Sequence, residues 1–259
     1  ANPFTFTITG NCVDIEPPVI TITAPPDGSY TNGTQTLSFT VSDNVGVTSV
    51  QAKIGSGTFT NISSGAAINT INGWASAPEG NITIDMQAKD AANNTATASL
   101  NLIKDITPPV INITAPLAGS PINGTQSLQF TVTDVAVATT RAYIDSGTPG
   151  NITSPAVIST INGWNPPYSG TSITVYIEST DEAGNTGNTS QSFFADTIPP
   201  SGNITSPTNG STVTGIVQIQ ADASDNTGGS DVDYVEFYIG GSLVGTDSNY
   251  PWEYSWNTT

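Results

Sequence analysis

The chain repeats itself at an interval of 91 residues: Asp14-Ile15-Glu16-Pro17-Pro18 returns as Asp105-Ile106-Thr107-Pro108-Pro109 and again as Asp196-Thr197-Ile198-Pro199-Pro200. A fixed period of that length means one structural unit used several times, so the fold must close on itself within about 90 residues. Each diproline fixes two φ angles, removes two backbone donors and drives the preceding residue out of the helical region. The segment therefore reads as an extended, stiff hinge. The period divides the chain into a leading strand in 1–13, full repeats at 14–104 and 105–195, and an incomplete repeat at 196–259.

Within the first repeat, apolar and polar residues alternate in Val19–Ala24, Thr36–Ser42, Ser49–Ile54, Ile82–Ala88 and Ala96–Ile103, with weaker material at 58–62 and 66–71. Gly, Pro, Asn and Asp punctuate these runs, and no convincing helical period appears. Seven short alternating strands in one period predict an all-β unit, an antiparallel sandwich. Asn123-Gly124-Thr125-Gln126 and Ile161-Asn162-Gly163-Trp164 match Asn32-Gly33-Thr34-Gln35 and Ile71-Asn72-Gly73-Trp74, so the second repeat copies the first. The third stops before the strands equivalent to 82–88 and 96–103, with Trp256 close to the register of Trp74 and Trp164. Residues 4–10 alternate like the last strand of a repeat. A fragment of a longer array explains both ends more simply than head-to-tail donation of 4–10, since one donated strand leaves another missing.

The function classes left open are narrowed by what is missing. Histidine is absent and Cys12 is the single cysteine, which removes Ser-His-Asp and Cys-His catalysis and thiolate–imidazole zinc sites. Cys12 reads as a small buried hydrophobe or as one half of an intermolecular bridge. Only Lys53, Lys89, Lys104 and Arg141 are basic against a net charge of -17, so no surface tracks nucleic-acid phosphates. No apolar run reaches the roughly 18 residues of a membrane span, and no leader is visible, as in a mature or excised chain.

The motifs Pro-Pro-Val-Ile-Thr-Ile-Thr-Ala-Pro at 17–25, Ser-Asp-Asn-Val-Gly-Val at 42–47 and Asp181-Glu182-Ala183-Gly184-Asn185-Thr186 resemble the bacterial and archaeal immunoglobulin-like modules of secreted and cell-surface proteins. Val235-Glu236-Phe237-Tyr238-Ile239-Gly240-Gly241 and Tyr254-Ser255-Trp256 extend the resemblance from residue 14 to the end. It implies tandem immunoglobulin-like sandwiches and the roles of spacers and stalks in adhesins, surface layers and exported enzymes. The pairing of tryptophan with a core disulfide is missing, so antigen-type recognition is not implied.

The aspartates recur at fixed offsets. Asp14 to Asp43, Asp105 to Asp134 and Asp196 to Asp225 are each 29 residues apart, and Asp43 to Asp90 and Asp134 to Asp181 are each 47 apart. In an immunoglobulin-like sandwich the loops bearing these positions share one pole, which faces the preceding module. Two readings follow. Each Asp caps its own turn by accepting backbone N–H bonds, or the clustered carboxylates hold Ca2+, with carbonyls of Asn44, Asn94 or Asn185 completing the shell. Eleven Asn-X-Ser/Thr sequons, at Asn32, Asn61, Asn81, Asn93, Asn112, Asn123, Asn151, Asn188, Asn203, Asn209 and Asn257, exceed the roughly six expected from composition. They mark N-glycosylation sites on an exported surface, or ordinary polar turns. Trp74, Trp164 and Trp256 read as packing elements rather than sugar platforms, and Asp231, Asp233 and Glu236 as a solvated acidic loop. An isopeptide crosslink is not a repeated device, because the second repeat has no lysine.

The expectation is a non-catalytic extracellular structural protein: a rod, surface-layer or filament subunit, calcium-stiffened and N-glycosylated. Its partners are neighbouring copies or other modules of the same assembly, and glycans. The alternatives are an adhesin with a ligand-binding tip and the accessory stalk of an exported enzyme.

Overall fold

The computed structural model describes residues 13–259. The strand read at 4–10 and Cys12 lie outside the described residues. In the first repeat Val19–Ala24 (β1), Tyr30–Thr31 (β2), Thr36–Ser42 (β3), Val47–Ile54 (β4), Thr60–Asn61 (β5) and Ala66–Ala67 (β6) lead to a 3-10 turn at Ile68–Thr70, and Gly80–Asp90 (β7) and Thr95–Lys104 (β8) complete it. One sheet runs β1-β3-β6 and the other β2-β8-β7-β4-β5. Period-2 alternation fixes which face turns inward. Ile82, Ile84, Met86 and Ala88 of β7 are buried, with Ile84 opposite Leu100 and Ile82 opposite Leu102 of β8. Ile82, Ile84, Met86, Leu100 and Leu102 share one core with Leu37 and Phe39 of the other sheet. Each such aliphatic side chain contributes about 2 kcal/mol by leaving water.

The second repeat has the same order. Val110–Ala115 (β9), Pro121–Ile122 (β10), Ser127–Thr133 (β11), Val137–Ile144 (β12), Gly150–Asn151 (β13) and Ala156–Val157 (β14) precede a 3-10 turn at Ile158–Thr160, then Ser169–Asp181 (β15) and Thr186–Asp196 (β16). Its sheets run β9-β11-β14 and β10-β16-β15-β12-β13, closing on Leu128, Ile144, Ile158, Ile173 and Phe193. In both repeats the entering chain changes sheets through a two-residue strand that runs parallel to the last one, β2 on β8 and β10 on β16.

The third repeat contains Ser201–Ser206 (β17), Ile216–Ser224 (β18), Val235–Ile239 (β19), Ser242–Asp247 (β20) and Trp252–Asn257 (β21), arranged as β17-β18-β21 and the hairpin β19-β20. Its buried core is reduced to Ile219, Phe237 and Trp252.

The weak strand read at 66–71 is a two-residue strand followed by the 3-10 turn, because Ile71 N–H closes back on the Ile68 carbonyl. Trp256 does not repeat the place of Trp74 and Trp164. It lies on β21 opposite Val217, whereas Trp74 and Trp164 follow the 3-10 turns and press on Gly33 and Gly124. The segments holding Pro108-Pro109 and Pro199-Pro200 lie between strands. By packing, the loops Thr133–Ala138 and Thr180–Gly187 of the second repeat belong to one compact unit with the residues through Pro109. A second unit holds Val110–Val132, Thr139–Ser179 and Asn188–Thr259. Among the described residues no helix is long and apolar enough to cross a membrane.

Candidate metal centre

The constant offsets in sequence become clusters in space. Asp14, Asp43 and Asp90 bring one carboxylate oxygen each to within 4.8 Å of one another, and Asp105, Asp134 and Asp181 do the same. Asp14 and Asp105 enter just before β1 and β9, Asp43 and Asp134 follow β3 and β11, and Asp90 and Asp181 end β7 and β15. Calcium binds oxygens at about 2.3–2.6 Å, so two ligands of one ion lie at most about 5 Å apart. The clusters meet that limit. Among the described residues the one ion pair is Lys53 with Asp85 at 3.7 Å, so no basic side chain neutralises either cluster.

Within each cluster the two oxygens of an aspartate have different tasks. Asp14 Oδ1 accepts from Glu16 N at 3.1 Å, Asp43 Oδ1 from Val45 N and Gly46 N at 3.0 and 2.8 Å, and Asp90 Oδ1 from Asn94 N at 2.8 Å. Asp105, Asp134 and Asp181 repeat this with Thr107 N, Ala136 N and Asn185 N at 3.1, 3.1 and 2.8 Å. Every one of these aspartates thus caps its own turn. Capping leaves Asp14 Oδ2, Asp43 Oδ2 and Asp105 Oδ2 buried with no hydrogen-bond partner. In Asp14, Asp43 and Asp105 one oxygen holds the loop and the other has no hydrogen-bond partner, so turn capping does not exclude the metal reading. Asp105 is the sharpest case, since only 4% of it is exposed. Burial pushes its carboxyl up from the usual carboxylate value, the Thr107 N–H opposes that, and the charges of Asp181 and Asp134 add to the rise.

Asn94 and Asn185 meet the clusters through their amide nitrogens. Their Nδ2 groups donate to Asp90 Oδ2 and Asp181 Oδ2 at 2.7 and 2.8 Å, and to the main-chain oxygens of Asp14 and Asp105 at 3.1 and 3.0 Å. They clamp the hairpin turn to the entering strand. Gln35 Nε2 donates to Ala183 O at 2.8 Å, so the loop that carries Asp181 is tied to the first repeat.

The third pole differs. Asp196 accepts from Ile198 N at 3.1 Å and, on its other oxygen, from Ser230 N at 2.8 Å. Burial works to raise the Asp196 carboxyl, but the Ile198 and Ser230 donors and Asp225 outweigh it, and it lies below the usual value. Asp225 Oδ2 and both amide atoms of Asn226 are buried without partners. No third carboxylate joins this pair in the manner of Asp90 or Asp181 among the described residues.

Ten of the eleven sequon asparagines are exposed; Asn32 is half-buried. In Asn32, Asn123 and Asn257, Oδ1 accepts from the N–H and hydroxyl of the Thr two residues on, so the amide nitrogen, the atom a glycan joins, is not engaged in that turn.

Sequence gave no signal for Lys104. It is buried, its Nζ donates to Trp74 O and Ala77 O at 2.9 and 2.6 Å, and it lies 4.5 Å from the Trp74 ring centroid.

A family model for a bacterial Ig domain matches residues 18–74 and 200–259, and one for a bacterial Ig-like domain (group 3) matches 71–151. No curated protein sequence matches the chain. Among solved structures, the fibronectin(III)-like modules of CbhA from Clostridium thermocellum are similar at 15% identity, over 69% of this chain and 94% of that one, with a TM-score of 0.39. A tetra-tandem repeat in the extending region of a large adhesion protein is similar at 17% identity, over 93% of this chain and 65% of that one, with a TM-score of 0.30. Sidekick-1 immunoglobulin domains 1–5 are similar at 16% identity, over 91% of this chain and 50% of that one, with a TM-score of 0.34. With two sheets closing on one core in both full repeats, the family matches settle the class: the chain carries bacterial immunoglobulin-like repeat modules.

Proposed function

We propose that this chain is a non-catalytic, extracellular load-bearing element, a rod, surface-layer or filament subunit, in which bound Ca2+ stiffens the poles of the first two repeats. Bacterial Ig-like modules serve as structural or stalk parts of surface proteins, which supports the coarse role. The observation that carries the finer reading is the buried, unpartnered Oδ2 of Asp105 among three carboxylates. A buried anion without a partner is costly, and a hard divalent cation is the ligand that several converging oxygens suit. Asp105, Asp134 and Asp181 would hold one ion and Asp14, Asp43 and Asp90 another. The ion supplies positive charge that no side chain there provides. The diproline connectors and the Asn185 clamp then limit bending about a fixed pole.

The test is thermal melting with calcium and after chelation. Calcium is expected to raise the melting temperature with the logarithm of its concentration above the dissociation constant, and Asp105→Asn is expected to remove the share contributed by the Asp105, Asp134 and Asp181 site. An unchanged melting temperature removes calcium from the proposal. The exposed sequons are proposed glycan sites on the same surface, checked by intact mass of protein from its native source.

A further inference from the structure

We propose that Tyr143 and Tyr176 form a site of oxidative coupling, at which a peroxidase-type oxidant joins the two rings by a carbon–carbon bond and staples β12 to β15. Tyr143 lies between the buried Ala142 and Ile144, and Tyr176 between the buried Val175 and Ile177. Alternation along each strand therefore turns both rings to the outer face of the sheet, in which β12 and β15 are neighbours. The rings stack with centroids 5.0 Å apart and planes 11° from parallel. Tyr176 is 36% exposed and Tyr143 is half-buried, so an oxidant in solution reaches a pair that the backbone already holds in contact.

The core does not require this pair. Ile144 N donates to Asn162 O as Ile54 N donates to Asn72 O, both at 2.8 Å, which puts Tyr143 in the place of Lys53. Tyr176 stands 91 residues after Asp85, the cross-strand partner of Lys53. The first repeat thus fills the same two positions with an ion pair at 3.7 Å. An ion pair and a ring stack both stabilise neighbouring strands, but only the stack can become a covalent link by oxidation. Other internal crosslinks are closed to the second repeat: Cys12 is the single cysteine of the chain, and the repeat has no lysine for an amide link. Met86, the single methionine and a competing target for peroxide, is fully buried.

Each phenol gives up one electron and one proton, and together these reduce one hydrogen peroxide to two waters through the peroxidase. The two phenoxyl radicals join through ring carbons ortho to oxygen, Cε to Cε. The hydrogens displaced from those carbons move to the phenolic oxygens, and the product is a dityrosine two hydrogens lighter than the pair. Contact between the rings makes the combination unimolecular, at an effective concentration far above that of a second chain. The pair then outruns coupling between chains through Tyr250, which is 78% exposed.

The test treats the full chain, at low concentration, with a haem peroxidase and hydrogen peroxide. It is read by dityrosine fluorescence, intact mass and peptide mapping after cleavage before aspartate, which separates residues 134–144 from 145–180. The expected product is a monomer lighter by two hydrogens in which those two peptides stay joined, with a raised denaturation midpoint because the link constrains the unfolded chain. Tyr143→Phe and Tyr176→Phe, which keep the stacked rings, are each expected to lower its yield about tenfold or more, and Tyr168→Phe to leave it unchanged. Dityrosine confined to dimers, peptides that separate, or a yield indifferent to either substitution overturns the proposal. So does an equal yield from native and urea-unfolded chain under a photochemical one-electron oxidant, which assigns the reactivity to exposed phenols and not to the stack.

Discussion

Asn185 Nδ2 donates to the main-chain oxygen of Asp105, 80 residues earlier, and Asn94 makes the same bond to Asp14 at the same separation. One amide thus fastens the hairpin turn to the point where the chain enters each repeat. Replacing Asn185 by Ala removes that bond and the donor on Asp181 Oδ2. The expected loss is about 1–3 kcal/mol, because a buried acceptor is left without its partner. Chemical denaturation of the variant checks it, and Asn94→Ala is expected to reproduce the effect in the first repeat.

Lys104 separates the two full repeats. Its ammonium satisfies two carbonyls beside the Trp74 ring, while the residue before the next hinge is the buried Ala195. Lys104→Ala is expected to destabilise the first repeat by about 2–3 kcal/mol, as two charged hydrogen bonds to part-buried carbonyls are lost. Hydrogen exchange resolved by strand should show faster opening in β7 and β8 and none in β15 and β16.

Gly33 and Gly124 each sit at positive φ, +89° and +93°, with a Trp ring carbon 2.6 Å from where a Cβ would stand. Substitution by Ala is therefore strained twice, by the backbone and by the indole. Either variant is expected to lose about 2 kcal/mol or more, and near-ultraviolet circular dichroism should report the displaced tryptophan.

Glu79 accepts from Ile106 N at 2.8 Å and from the Thr107 hydroxyl, and these bonds hold its carboxyl below the usual glutamate range, the Ile106 N–H contributing most. A lowered folded-state value means the stabilisation is present above the unfolded value, about 4.3, and is lost as pH falls through the folded value. Glu79→Gln is expected to flatten the stability profile across that acidic window by lowering stability at neutral pH, and to leave strongly acidic pH almost unaffected. Melting temperatures recorded between neutral and strongly acidic pH check it.

The long strands were legible because alternation is a property of neighbouring residues: Leu37, Phe39, Ile82 and Ile84 all point inward as their pattern requires. The aspartate clusters were legible because the period held their offsets constant. What escaped the sequence depends on partners distant along the chain. The two-residue strands Tyr30–Thr31 and Pro121–Ile122 exist only through parallel pairing with strands about 70 residues later, and two residues carry no period. Ile68–Thr70 turns as a 3-10 helix under a core that pulls Ile68 fully inside, although its composition suits a strand. The donor bonds of Asn94 and Asn185 could not be read from sequence, since an amide carries an acceptor and a donor and only the folded loop shows which partner each meets. Ser230 serves Asp196 through its backbone, which no side-chain pattern reveals.

Asp105, Asp134 and Asp181 all lie inside one period counted from its own hinge, and so do Asp14, Asp43 and Asp90. Each cluster is therefore inherited whole. Because both full repeats keep the 29- and 47-residue offsets, gain or loss of a copy in register leaves every remaining full repeat with all three aspartates. The number of repeats can therefore change by whole units without altering the set of carboxylates in any full one.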